Sequence, residues 1–512
     1  MKASFDNLAQ GIAPDQPGWN LPDGTWSDAR NVRFRDGAVE RMDGHDQALG
    51  DLSATALWAA QINSGTTVYW AYGSKTALYA TDGSTHANVG SASFNVGDDL
   101  AWNGGPYNGY MVANCGSVAP VTWAPALANK AEPLVNFPAG VTCKVIRAFR
   151  NFLVALRITD GGVYNPRLMR WGSSALAGAL PSSWDYTDPA NDSGIAELAQ
   201  TSDALVDCLP LRDVNFVYKE QHTWLMEYVG GSSVFGFRQV FSNIGMLAED
   251  CAASFRTGHL VLTDTDVVIH DGNQAESVAD GRMRRWLFNR ISTSRYKRCF
   301  VVANHRAREA WVCFPEAGYD WCNLAAVWSW TDGRWTVREL NQPLTFAASG
   351  VVPSGAATTF DGSTGTFDEA TGAFDDAKYS AFQSRLLMLD STAMRAYQSD
   401  GGPLFGGATP TCYVTRSSLN LGRDADRHKR VLRVFPKVLG TTGEVVNVYV
   451  GARSITDGSV SWRGPYPYAI GVDRKVDVRV TARLIDIRFE YAGTGTFRLF
   501  GFDVEFDPAG IR

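Results

Sequence analysis

The chain has 512 residues, a formal net charge of −6, 45% hydrophobic, 12% aromatic and 20% charged residues. That is globular composition, so wholesale disorder is excluded. The acidic balance argues against a chain-wide polyanion binder. No run of 18 apolar residues occurs, which excludes a membrane-spanning helix. Asp6 and Asp15 interrupt the N-terminal stretch, so a secretory signal is not expected and the chain should fold in a cytoplasm.

Residues 1–50 read as an extended leader. Pro14-Asp15-Gln16-Pro17-Gly18 rejects helix, because proline removes a donor and restricts its predecessor. Val32 and Phe34 alternate with Arg33 and Arg35, Asp36-Gly37 supplies a turn, and Val39 starts a return strand.

Residues 51–409 repeat one theme: an apolar strand, a short turn, another apolar strand. Clear pairs are Val68–Tyr72 with Ala77–Ala80, Tyr110–Ala113 with Pro120–Trp123, and Phe152–Leu156 with Leu168–Trp171. Phe216–Tyr218 with Trp224–Met226, Leu260–Leu262 with Val267–Ile269, and Phe300–Ala303 with Ala310–Val312 continue the series. A recurrence of roughly 40–50 residues built of short strands is the pattern of a β-propeller, although a pair of sandwiches gives similar spacing. A small antiparallel sheet buries neither face alone, and radial stacking covers both. The expected fold is therefore all-β, a propeller followed by a separate unit.

Within this span, residues 360–376 break the pattern. Phe360-Asp361, Phe367-Asp368 and Phe374-Asp375 begin three successive Gly/Thr-rich segments. The stretch carrying Asp361, Asp368, Glu369, Asp375 and Asp376 reads as an exposed acidic loop anchored by its phenylalanines. It lacks the ligand spacing of a calcium loop.

Residues 410–512 alternate cleanly. Val446, Val448 and Val450, then Val476, Val478 and Val480, mark strands with one apolar face. Beyond Arg483 the apolar phase moves to Ile485, Ile487 and Phe489, which predicts a bulge. Five or six such strands predict a small antiparallel sandwich.

Catalytic signatures are missing: no Gly-Lys phosphate loop, no HExxH and no GxSxG. The seven histidines are scattered. Thr331-Asp332-Gly333-Arg334-Trp335 faintly resembles the turn of sialidase propellers but reads more simply as a hairpin with a packed tryptophan. No catalytic residue, metal site or cofactor is expected. The eight cysteines include no CxxC and mostly flank apolar residues, so reduced, buried thiols are expected. Two basic clusters remain, Arg282 to Arg298 and Arg423 to Lys437. The second contains Arg423, Arg427, Lys429, Arg430 and Arg433, and reads as phosphate contact or docking onto an acidic partner, with a protein contact the commoner use.

The leader Phe5-Asp6-Asn7-Leu8-Ala9-Gln10-Gly11-Ile12, followed by Leu21-Pro22-Asp23-Gly24-Thr25-Trp26-Ser27-Asp28-Ala29-Arg30-Asn31-Val32-Arg33-Phe34-Arg35-Asp36-Gly37, resembles the start of tail nozzle proteins of short-tailed bacteriophages. Tyr218-Lys219-Glu220 with Trp224, Phe241-Ser242-Asn243-Ile244-Gly245-Met246, Trp311 and the Phe-Asp segments are similar in the same order, as is the closing Phe497–Val504. The resemblance implies a structural virion protein, six copies forming the distal tail tube below the portal and adaptor ring. Such a ring retains packaged DNA and conducts it at ejection, with fibre or spike proteins as neighbours; in it the acidic loop 360–376 is a candidate channel or gate element and the Arg423–Lys437 cluster a candidate subunit or adaptor contact. Double-stranded DNA would pass without sequence-specific binding, and no membrane insertion is implied. The alternative from another class is a virion-borne propeller glycosidase or depolymerase, or a carbohydrate- or receptor-binding β module.

Overall fold

The computed structural model describes residues 1–98, 101–353, 384–419, 421, 427–456 and 458–510. Short antiparallel sheets dominate. Their turns follow local chemistry: Asn108-Gly109 and Asp36-Gly37 both take left-handed φ values (48° and 90°, 48° and 74°), as a two-residue hairpin turn demands.

Among the described residues six sheets form seven blades, five of four strands each and one seven-stranded sheet that supplies the last two. Blade one is Trp58–Ser64, Thr67–Gly73, Leu78–Thr81 and His86–Asn88. Blade two runs from Asn103–Tyr107 to Glu132–Pro133, blade three from Val141–Phe149 to Gly194–Glu197. Blade four runs from Leu205–Leu211 to Phe235–Ser242, and blade five from Ala252–Phe255 to Ala275–Ser277. Blade six takes Phe300–Asn304, Glu309–Phe314, Cys322–Ser329 and the first half of Trp335–Val351. The second half of that strand, from Leu344, starts blade seven and pairs with Ser384–Asp390. Arg395–Gly401 follows, and the N-terminal strand Gly44–Asp51 is the outer member.

Packing closes the ring. One apolar cluster lies between blades one and two (Trp58, Trp102, Trp123), another between two and three (Tyr107, Ile146, Trp184). Blades three and four share Phe152, Trp171 and Trp224, and blades four to six share Phe216, Leu260 and Val312. Trp311 and Met388 pack between six and seven, Trp70 and Leu389 between seven and one. The last seam is also hydrogen-bonded: Trp70 Nε1 donates to the Val351 carbonyl at 3.0 Å, and the Val351 amide donates to Gln61 Oε1 at 2.7 Å. The all-β propeller expectation is thus met, with seven blades and a seventh closed by a distant N-terminal strand.

Residues 412–509 build two antiparallel sheets, and the leader contributes to both. Lys2–Asp6 pairs with Phe497–Ala509, and the Val32–Arg35/Ala38–Arg41 hairpin joins the same sheet. Asp28–Arg30 pairs with Cys412–Leu419 in the other. Val446, Val448 and Val450 of one sheet share a core with Val476, Val478 and Val480 of the other. Phe489 and Phe502, one from each sheet, lie 5.1 Å apart.

Two expectations need correction. Residues 1–50 are no separate unit: the first 41 supply strands to the two C-terminal sheets, and 44–51 close the propeller. The phase shift at Arg483 is not a bulge. Val476–Ala482 belongs to the six-stranded sheet and Leu484–Tyr491 to the five-stranded one, so the inward face reverses where the chain changes sheets.

The leader also joins the two modules. The Ile12 amide donates to the Trp335 carbonyl at 3.1 Å, and Asn31 exchanges bonds with Val337 and Glu339. The Asp15 carboxylate accepts from the Arg285 and Trp286 amides, each at 2.7 Å. Buried Arg33 donates to Glu309 at 2.7 Å and to Asp400 at 2.6 Å, linking the leader hairpin to blades six and seven. No described helix is long and apolar enough to cross a membrane.

Candidate functional site

The predicted basic strand is His428–Gly440 in the six-stranded sheet, and its register decides what each cation meets. Lys429 is buried and its ammonium donates to the Arg483 carbonyl at 3.3 Å. Arg433 reaches Asp477 at 3.1 Å and Glu505 at 3.0 Å, on the two flanking strands. Lys437 binds Asp6 at 2.7 Å and Asp503 at 2.9 Å. Lys429 and Arg433 are thus engaged within the sheet, and the Arg433 side chain keeps 43% of its surface exposed. Arg430 faces solvent, opposite Asp507 and Thr481, and Arg427 is exposed just before the strand. Arg423 lies outside the described residues, as do Asp361, Asp368, Glu369, Asp375 and Asp376 of the proposed gate loop.

The Arg282–Arg298 cluster is likewise opposed. Arg284 pairs with Asp280 at 2.9 Å, Arg290 with Glu316 at 2.7 Å and Arg295 with Asp320 at 2.8 Å. Sequence distance hides these acids: Glu505 is far from Arg433 along the chain and adjacent to it across the sheet.

The concave feature of the molecule lies on the propeller axis. A cavity of about 200 Å³ opens where the inner strands begin, lined from all seven blades. Leu57, Trp102, Phe300 and Phe346 form apolar wall, and Arg157, Glu249, Asp250 and Arg298 bring charge. Ion pairs cross its mouth between non-adjacent blades. Arg298, before blade six, meets Asp98, before blade two, at 3.1 Å. Arg157 of blade three meets Glu249, before blade five. Arg157 has φ 55° at a bulge in Phe152–Asp160, a break that re-aims its side chain out of the regular pleat. Beside it Arg147 bridges Asp207 at 2.6 Å and Asp250 at 2.7 Å. Burial opposes ionisation of Asp207, and Arg147 nonetheless holds it below the usual carboxylate range. The loops that supply these groups have no periodic signature, so sequence reading missed the site.

A second polar cluster is closed to solvent. Tyr218, His259 and His270 are buried between blades four and five. His259 Nε2 donates to the Pro210 carbonyl at 3.1 Å, leaving Nδ1 to accept from the Tyr218 hydroxyl at 2.7 Å. His270 Nε2 then donates to that hydroxyl at 2.6 Å. Burial lowers His259 to about 4 and His270 to about 3. All eight cysteines are free and buried, and burial pushes Cys299 up to about 12. Thr331–Trp335 is a hairpin turn whose tryptophan is buried, donating to the Val278 carbonyl at 2.7 Å. Among the described residues no group of three His, Cys, Asp or Glu is placed to hold a metal.

No family model and no curated protein matches the chain. Among solved structures it is similar to the WD40 β-propeller domain of Doa1, at 8% identity over 70% of this chain and 98% of that one, with a TM-score of 0.40. The class defined here, a closed seven-bladed propeller joined to a two-sheet β unit, rests on strand pairing and seam packing.

Proposed function

We propose that the chain is a tail nozzle protein of a short-tailed bacteriophage. In this reading it is a virion subunit, assembled in the host cytoplasm, that forms a ring of six below portal and adaptor. It retains packaged DNA, conducts it at ejection and contacts fibre or spike proteins.

One observation carries the reading. The leader residues on which the resemblance rests are the ones that join propeller and β unit. Trp26 Nε1 donates to the Leu8 carbonyl at 2.7 Å, and Trp26 packs edge-on against Phe489 at 6.3 Å. Asn31 and Arg33 reach into blades six and seven. A tube wall under the pressure of a packaged genome needs that stiffness between modules.

Two further points are consistent with it. An axial cavity of about 200 Å³ leaves no passage for a duplex whose major groove alone is ~12 Å wide, so any DNA conduit forms between copies. Intramolecular pairing of both basic clusters, with a net charge of −6 per chain, limits phosphate contacts that would hold DNA back.

Co-sedimentation of the chain with its phage's portal–adaptor complex, followed by copy counting in single-particle images, tests the proposal. Six copies on the adaptor are expected. A chain that never joins the complex overturns it.

A further inference from the structure

Beyond any role in a tail, the axial cavity carries the features of a ligand site. Its volume of about 200 Å³ lies below the ~300 Å³ at which drug-sized pockets begin, so it suits a single ring rather than a chain of them. The groups that face it are of both signs: Glu249 and Asp250 are taken by Arg157 and Arg147, and Arg298 stands as a fork beside an apolar plate.

Arg298 is the fork. Its guanidinium lies 4.0 Å from the Trp321 ring, which holds it flat. Its Nη1 donates to the Asp320 carbonyl at 2.6 Å, while Nη2 meets Asp98 at 3.1 Å. Asp98 is 71% exposed, so it yields readily to a competing carboxylate. A bidentate carboxylate matches the guanidinium plane better than the single oxygen of Asp98.

Arg157 supplies the second observation. It lines the same cavity, and its Nε–H is buried with no acceptor among the described residues. A buried donor left unpaired is unfavourable, and a ligand oxygen would relieve it. Trp102, Phe300 and Phe346 offer flat apolar surface to a ring.

We propose that the propeller axis binds a small, single-ring organic carboxylate, with Arg298, backed by Trp321, holding the carboxylate and Trp102, Phe300 and Phe346 covering the ring. A sugar acid and an aromatic acid share this chemistry. Binding does not depend on the nozzle reading.

The test is calorimetric titration of the intact chain with glucuronate, benzoate and glucose, each to about 20 mM, against the ~1 mM dissociation constant within reach of so small a ligand. Glucuronate or benzoate should bind and glucose should not, and which acid binds separates the two sources. R298Q should weaken binding at least about tenfold, the loss of one charge-assisted pair. R298K keeps the charge without the fork and should also weaken it, so the outcome does not hinge on one variant folding. Absence of binding by both acids, binding of glucose alone, or undiminished binding by R298K overturns the proposal. Assembly on the adaptor is read separately, so its failure and this one remain distinguishable.

Discussion

Arg33 and Glu309 meet in a buried, two-pronged contact, Nε to Oε1 at 2.7 Å and Nη2 to Oε2 at 3.2 Å, where the leader hairpin crosses blade six. Asp400 of blade seven takes the third side at 2.6 Å. Side-chain exposures of 3%, 5% and 4% leave solvent little share in balancing these charges. Despite the desolvation penalty, Glu309 and Asp400 raise Arg33 further above its usual range.

Removing the cation should therefore be costly. R33A removes the cation that two buried carboxylates share, leaving Glu309 with Arg35 at 3.4 Å and Asp400 with the neutral Asn304 amide at 2.7 Å, and a loss of about 3 kcal/mol is expected. Urea denaturation checks it. A loss below about 1 kcal/mol would mean that this junction does not bear on stability.

Closure of blade seven makes a local prediction. Ala48 is 7% exposed, opposite Ala396, in the core between blades seven and one. A48D places an unpaired carboxylate there. Hydrogen exchange should show amides of Arg395–Gly401 losing protection while those of Phe152–Asp160 in blade three keep theirs. Uniform loss around the ring would contradict a separately closed blade.

Acid sensitivity follows from the buried histidines. Folded His259 titrates at about 4 and His270 at about 3, against 6.5 for the free side chain. The native state thus binds fewer protons than the unfolded chain between those limits. Stability is complete above pH 6.5 and is lost as pH falls toward 4. His259 alone accounts for roughly 2–3 kcal/mol by pH 4.5. Denaturation midpoints measured from pH 7.5 to 4.5 should fall. H259N should flatten the slope even where it lowers the plateau, and an unchanged slope would remove the histidines as its cause.

Strand content was legible because alternation is local. The paired segments read from sequence are mostly the second and third strands of their blades, as with Phe216–Tyr218 and Trp224–Met226. The inner strand Asn103-Gly104-Gly105-Pro106-Tyr107 carries little apolar signal, whereas the inner strand Phe300–Asn304 is apolar from Phe300 to Ala303 and was read. Blade seven was illegible for another reason: it joins Gly44–Asp51 to Arg395–Gly401, so no repeat marks it. Trp335–Val351 looks like one strand and serves two blades. The axial groups come from bends and a bulge whose positions follow from the closed ring rather than from local pattern.

Arg430, a solvent-facing cation on His428–Gly440, separates folding from assembly. R430E changes an exposed residue and should leave the denaturation midpoint within about 0.5 kcal/mol. R433E instead sets a third carboxylate beside Asp477 and Glu505 and should lower the denaturation midpoint further than R430E does. If Arg430 contacts a neighbour in the ring, R430E folds normally and fails to assemble on the adaptor. Normal assembly by R430E would remove it from that contact.

Genome retention is the sharpest measure of the proposed role. Filled phage heads carrying portal and adaptor but lacking this chain should leak DNA to nuclease, and adding the purified chain should make the genome nuclease-resistant. Equal nuclease sensitivity with and without the chain would contradict the account.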